Sequence, residues 1–170
     1  PAMDRTAIVI GGGAIGLAAA LALAAMGLTN IKIIEPNDKR RKFLEHNCNQ
    51  DVESKGIGTA SIVIDAVGYA TTRSVASELV MPGGVIAHVG LGENTGGLDV
   101  RRMTLQEITF VGTYTYTAQD FRDTCTALFD GHLGPLDWHD VRPLSEGATA
   151  FSDIRSGNSA VPKIILNPWA

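Results

Sequence analysis

An apolar run, Ala7 to Ile10, breaks into Gly11-Gly12-Gly13-Ala14-Ile15-Gly16, and this passage constrains the fold more than any other. Glycines at 11, 13 and 16 follow the spacing G-x-G-x-x-G, and each has a physical task. Gly11 permits a tight turn off a strand. Gly13 removes a side chain so that a pyrophosphate can approach the backbone. Gly16 lets the next helix pack close to the strand. The first turn of a helix has N–H groups without intrahelical acceptors and carries the positive end of the dipole. The backbone around Gly13, Ala14, Ile15 and Gly16 is therefore suited to phosphate.

Ile31 to Ile34 reads as a second strand and ends at Glu35, roughly 20 residues beyond the glycines. A carboxylate there can accept hydrogen bonds from both hydroxyls of an adenosine ribose. Strand, glycine turn, helix, strand and acid together predict a Rossmann fold: an α/β, doubly wound, mostly parallel sheet with helices on both faces. Glu35 would repel a 2′-phosphate, which favours NAD over NADP. Arg40 and Arg41 leave that choice open. They read as a solvated helix face, or Arg40 packs on adenine, or one of them pairs with a phosphate and admits NADP.

Strand and helix patterns alternate along the rest of the chain. A helix from about Ala14 carries Leu17, Leu21, Ala24 and Leu28 on one face and stops at Gly27. Pro36-Asn37-Asp38 starts a second helix that runs to about His46. A short strand is expected near Cys48 to Val52, with a loop after it. Strands follow at Ser61 to Asp65, Val85 to Val89, Glu107 to Thr113 and Lys163 to Leu166. A helix through Val75, Ala76, Leu79 and Val80 is expected to stop at Pro82-Gly83-Gly84. Thr117 and Asp120 read as a capping box for a helix ending near Gly131, and a last helix covers about Ser145 to Arg155. The expected division is a nucleotide-binding domain over residues 4–135 and a C-terminal segment over residues 136–170.

Composition excludes several function classes. The net charge of −4 offers no basic field to a polyanion, so nucleic acid is not an expected partner. The most apolar run, Ala14 to Met26, is shorter than a bilayer requires, so no membrane is expected. No secretory signal is legible, and two distant cysteines, Cys48 and Cys125, suit a reducing cytoplasm.

Further motifs narrow the reading. Ile64-Asp65-Ala66-Val67-Gly68 is followed by Leu79 with Pro82-Gly83-Gly84, then by Val89-Gly90-Leu91 and Phe110-Val111-Gly112-Thr113. With the glycine turn, Glu35 and Arg40, this series resembles the coenzyme domain of medium-chain, zinc-type alcohol, polyol and threonine dehydrogenases, over about residues 5 to 168. The resemblance implies that Gly68 borders the adenosine half of the cofactor. It places Val89, Gly90 and Leu91 beside the nicotinamide, with Gly112 and Thr113 at the far end of that pocket. It puts Lys163 near the pyrophosphate, although a solvated strand-end lysine is an equal reading of that residue. It also implies a homodimer through the edge strand near Glu107 to Thr113. The zinc ligands of the parent enzyme belong to a catalytic domain that this chain is expected to lack, leaving the C-terminal segment nothing to pack on. The chain alone is then expected to be inactive.

Other chemistry is thin. His46, His88, His132 and His139 show no i, i+4 metal spacing. His88 reads as a packed strand histidine, and His132 and His139 as loop residues. Three functions compete: the NAD-holding part of an alcohol or polyol dehydrogenase, an FAD-binding domain of an oxidase, and a non-catalytic nucleotide-sensing module.

Overall fold

In the computed structural model, which describes residues 5–56 and 58–170, six segments pair in parallel. They are β1 (Thr6–Ile10), β2 (Asn30–Ile34), β3 (Asp51–Glu53), β4 (Ala60–Asp65), β5 (Val80–His88) and β6 (Thr109–Gly112). Their order in the sheet is β3-β2-β1-β4-β5-β6. The chain winds one way from β1 to β3 and the other way from β4 to β6. The point of reversal lies between β1 and β4, at the end of the glycine turn. The expected domain start at Asp4 lies outside the described residues.

Alternation along the strands divides the core into two layers. Val9, Ile33 and Ile64 pack with Leu17, Ala20 and Leu44 on one face. Ile8, Ile10, Val63 and Ile86 pack with Ala76 and Leu79 on the other. Leu17, Ile33, Leu44 and Ile86 are fully buried. Each contributes about 1.5–3 kcal/mol relative to an exposed side chain.

The helices are α1 (Ala14–Ala25), α2 (Asp38–Cys48), α3 (Ala70–Leu79), α4 (Val100–Leu105), α5 (Ala118–Phe129) and α6 (Gly147–Arg155). Asn37 caps α2 through its side chain, and Thr117 with Asp120 forms the expected box at α5. In α1 the buried face is Gly16, Leu17 and Ala20, and Ala24 faces outward instead. A separate parallel pair, β7 (His139–Pro143) and β8 (Lys163–Asn167), forms a small second sheet.

Several sequence expectations are corrected. Helix α2 runs through Cys48, so the short strand is Asp51–Glu53, after Asn49 ends the helix in the left-handed region. Helix α3 ends at Leu79, and Pro82-Gly83-Gly84 belongs to β5 rather than stopping the helix. The pairing shifts register there, between Ala60 and Ile62, and that irregularity accommodates the proline. The sixth strand is shorter than expected because Glu107 adopts φ 53°. Helix α4 was not expected, because its six residues carry no helical apolar period. His139 lies in β7, not in a loop. The C-terminal segment has a docking place after all: Asn37 Nδ2 donates to the Gly157 carbonyl at 2.7 Å, and Trp138 packs against the α1-side core.

Candidate functional site

The glycine turn is built as its spacing predicts. Gly11 adopts φ +100°, a conformation that favours glycine, and its N–H donates to the Ile34 carbonyl at 2.8 Å. A Cβ on Gly16 would lie 1.7 Å from the Gly11 carbonyl oxygen, so α1 rests directly on the turn. Gly13 is different. A Cβ there would meet nothing within 4 Å, and its φ of −74° suits any residue. No packing or backbone demand explains this glycine. It is also the N-cap of α1, which has no side-chain cap and no acid in its first turn. Helices α2, α4 and α5 are each capped by a side chain, from Asn37, Asp99 and Thr117. The entrance of α1 therefore presents uncapped N–H groups above open space.

Glu35 stands beside the turn and is 5% exposed. Its Oε2 accepts from Gly12 N at 2.9 Å and its Oε1 from Asn37 N at 2.8 Å. The carboxylate thus braces the glycine turn against the start of α2, a role its position in the sequence does not reveal. Arg40 Nη1 lies 3.5 Å from Glu35 Oε2, and its Nη2 donates to the Ser159 carbonyl at 3.4 Å. The solvated reading of Arg40 is therefore corrected, because its side chain is largely buried and ion-paired. Arg41 donates to the carbonyls of Glu35 and Pro36 and pairs with Asp38.

A cavity of about 630 Å³ opens here, with Gly11, Glu35, Arg40, Lys55, Tyr69 and Thr72 among its lining residues. The loop after β3 supplies one wall of this cavity, through Ser54, Lys55 and Gly56. At the end of α2, burial pushes the Cys48 thiol up, which keeps it protonated and a poor metal ligand.

Ile10, Asp65, His88 and Gly112 stand in register across the carboxyl ends of β1, β4, β5 and β6. Asp65 is fully buried and ties these ends together. Its Oδ1 accepts from Val67 N and Gly68 N, and its Oδ2 faces Thr72 Oγ1 and His88 Nδ1, both at 3.1 Å. Its carbonyl accepts from Val89 N and Gly90 N. A Cβ on Gly68 would fall 2.2 Å from the Gly90 carbonyl, so the two turns interlock. Leu91 projects outward at 79% exposure, and Thr113 N donates to the His88 carbonyl at 2.9 Å. Gly68, Val89, Gly90, Leu91, Gly112 and Thr113 thus gather along one rim. Sequence reading passed over Asp65 as an organiser, although an acid ending an apolar strand carries that signal.

Lys163 does not join either group. It lines a second cavity of about 710 Å³ with Ala18, Ala22, Asp123 and Trp138, away from the glycine turn. Its expected place near a pyrophosphate is corrected to the rim of that second cavity. Among the described residues, no group of three or more His, Cys, Asp or Glu is placed to hold a metal ion. No helix among them is long and apolar enough to cross a membrane.

Comparison with known proteins adds the following. The family described as "Zinc-binding dehydrogenase" matches residues 14–130. A probable D-xylulose reductase A of Aspergillus clavatus is 22% identical over 171 residues, covering 90% of this chain and 48% of the relative. Sorbitol dehydrogenase 1 of Saccharomyces cerevisiae is 22% identical over 183 residues, covering 95% of this chain and 51% of the relative. The structure of acetophenone reductase from Geotrichum candidum, solved in complex with NAD, superposes with a TM-score of 0.83 at 18% identity. That likeness covers 96% of this chain and 48% of the other. The chain spans about half the length of the curated relatives it matches.

Proposed function

Because this chain belongs to the zinc-binding, medium-chain dehydrogenase family, we propose that it holds NAD for an alcohol or polyol dehydrogenase. The observation that carries the reading is Gly13: a glycine with no packing reason, capping a helix whose first N–H groups are uncapped. Open space at that spot fits a pyrophosphate, and the neighbouring cavity fits an adenosine.

In this reading the backbone of Gly11, Gly13, Ala14, Ile15 and Gly16 receives the pyrophosphate. Glu35 accepts from a ribose hydroxyl through Oε1, which has one backbone donor and a second lone pair, while Oε2 takes Gly12 N and faces Arg40. Arg40 forms one wall of the adenosine cavity, and Gly68 borders it from the β4 side. Val89, Gly90, Leu91, Gly112 and Thr113 line the nicotinamide end. NAD supplies hydride transfer when bound, and the residues of this chain bind and orient it. The repulsion between Glu35 and a 2′-phosphate favours NAD over NADP.

The substrate class, a secondary alcohol or polyol, is suggested by the names of the relatives, among them a sorbitol dehydrogenase and a D-xylulose reductase. Catalytic zinc is proposed to be held by a catalytic domain beyond this chain, with residues 4–135 as the nucleotide domain and 136–170 returning to that partner. The chain alone is then inactive. An exposed β6 edge supports a homodimer, and two free cysteines suit a cytoplasmic enzyme. The flavin and sensor readings gain no support from the family match.

Titration calorimetry with NAD, NADP and FAD tests the proposal. NAD should bind most tightly, and Glu35→Ala should weaken it by about tenfold or more. Unchanged NAD affinity in that variant would remove the ribose assignment, and tight FAD binding would replace the cofactor.

A further inference from the structure

Helix α3 has an unusual inner face. Arg73 and Ser77 are buried on it, 6% and 1% exposed, where apolar residues would be cheaper to place. Among the described residues, every partner of the Arg73 guanidinium is a main-chain carbonyl. Nε donates to Gly96 at 2.6 Å, and Nη1 to Gly68 at 2.9 Å and to Glu93 at 3.1 Å. Nη2 donates to Thr95. Three of these four carbonyls belong to the loop over residues 91–98, and the fourth is Gly68.

The same loop is fastened to α3 at other points. Glu93 Oε2 accepts from Ala70 N at 2.8 Å, and Ser77 Oγ accepts from Asp99 N at 3.2 Å. Ser77 Oγ in turn donates to the Arg73 carbonyl. A Cβ on Gly97 would sit 2.0 Å from the Ala70 carbonyl, and one on Gly92 would sit 2.6 Å from the Tyr69 ring. The glycines let the loop lie flat, and the guanidinium holds it there. A planar fork with five donors can bind several carbonyls at fixed angles, which an ammonium cannot.

The loop begins at Leu91, directly after the β5 turn. In a doubly wound sheet, the two halves of a dinucleotide lie on opposite sides of the switch point. The adenosine cavity lies between the ends of β1 and β2 and the face of α3 that carries Tyr69, Thr72 and Val75, and Arg73 is not among its lining residues. The second half then falls over β4 and β5, where this loop starts. We propose that Arg73 is a positioning residue: it clamps residues 91–98 to α3 and thereby sets the wall against which the nicotinamide rests. This rests on the dinucleotide reading above.

Calorimetry with NAD and with ADP-ribose separates the two ends, because ADP-ribose lacks the nicotinamide. For Arg73→Lys, NAD should bind about tenfold more weakly while ADP-ribose changes by less than about twofold. Glu93→Ala, at an exposed side chain, should show the same selectivity with a smaller loss, and it serves if the arginine variant fails to fold. Equal weakening of both ligands in Arg73→Lys, or no NAD-selective loss in either variant, overturns the proposal. If the unaltered chain binds neither ligand, the underlying dinucleotide reading fails instead.

Discussion

Gly13 and Gly16 are the same residue type in one motif, and the fold gives them opposite surroundings. Gly16 is required by the protein itself, since any side chain would strike the Gly11 carbonyl. A Cβ on Gly13 would meet nothing within 4 Å, which suits the proposed approach of a pyrophosphate. Gly16→Ala should therefore lower stability by about 1–3 kcal/mol through overpacking, read as a fall in melting temperature. Gly13→Ala should change stability by less than about 1 kcal/mol, yet weaken NAD binding in calorimetry. Unaltered NAD affinity in Gly13→Ala would show that no phosphate approaches there. Glu35 teaches a related lesson. Its spacing suggests a ribose partner, but its bonds to Gly12 and Asn37 were not legible, because a carboxylate's backbone donors depend on where a neighbouring turn comes to rest.

At the scale of elements, the strands were the readable part. Parallel strands covered on both faces tend to run apolar, and β1, β2 and β4 each carry such a stretch, Ala7–Ile10, Ile33–Ile34 and Ile62–Ile64. Helix α4 and strands β3 and β7 were misread or missed, since short pieces hold too few residues to display a period. Strand β6 ends the sheet with Phe110 and Val111 at 37% and 44% exposure, and no lysine or proline guards that edge. Val111→Lys should convert a dimeric chain to monomer in sedimentation velocity, with stability altered by less than about 0.5 kcal/mol. A chain that is already monomeric at high concentration would argue against pairing through this edge.

At the scale of the molecule, the C-terminal segment is fastened to the start of α2 through Asn37 and Arg40. Asn37 does two jobs, since it also caps the helix by accepting from Arg40 N. Asn37→Ala should cost about 1–2 kcal/mol in denaturant unfolding. Amide exchange at residues 157–159 should rise with it. Slow exchange retained at those positions would place the attachment elsewhere, with Trp138 the next candidate.

The amino-acid order alone determined a doubly wound sheet, its first turn, the acid beside it and the family, because each depends on residues close together in the chain or at fixed spacing. Tertiary structure alone decided that Arg40 pairs with Glu35, that Asp65 binds two turns together and that Arg73 grips a distant loop. It also moved Lys163 to another cavity. Apart from the local Arg40–Glu35 pair, whose geometry depends on how α2 leaves β2, these are contacts between segments far apart in sequence. A hydrogen bond forms only when packing brings donor and acceptor within about 3 Å, and no local pattern encodes that distance.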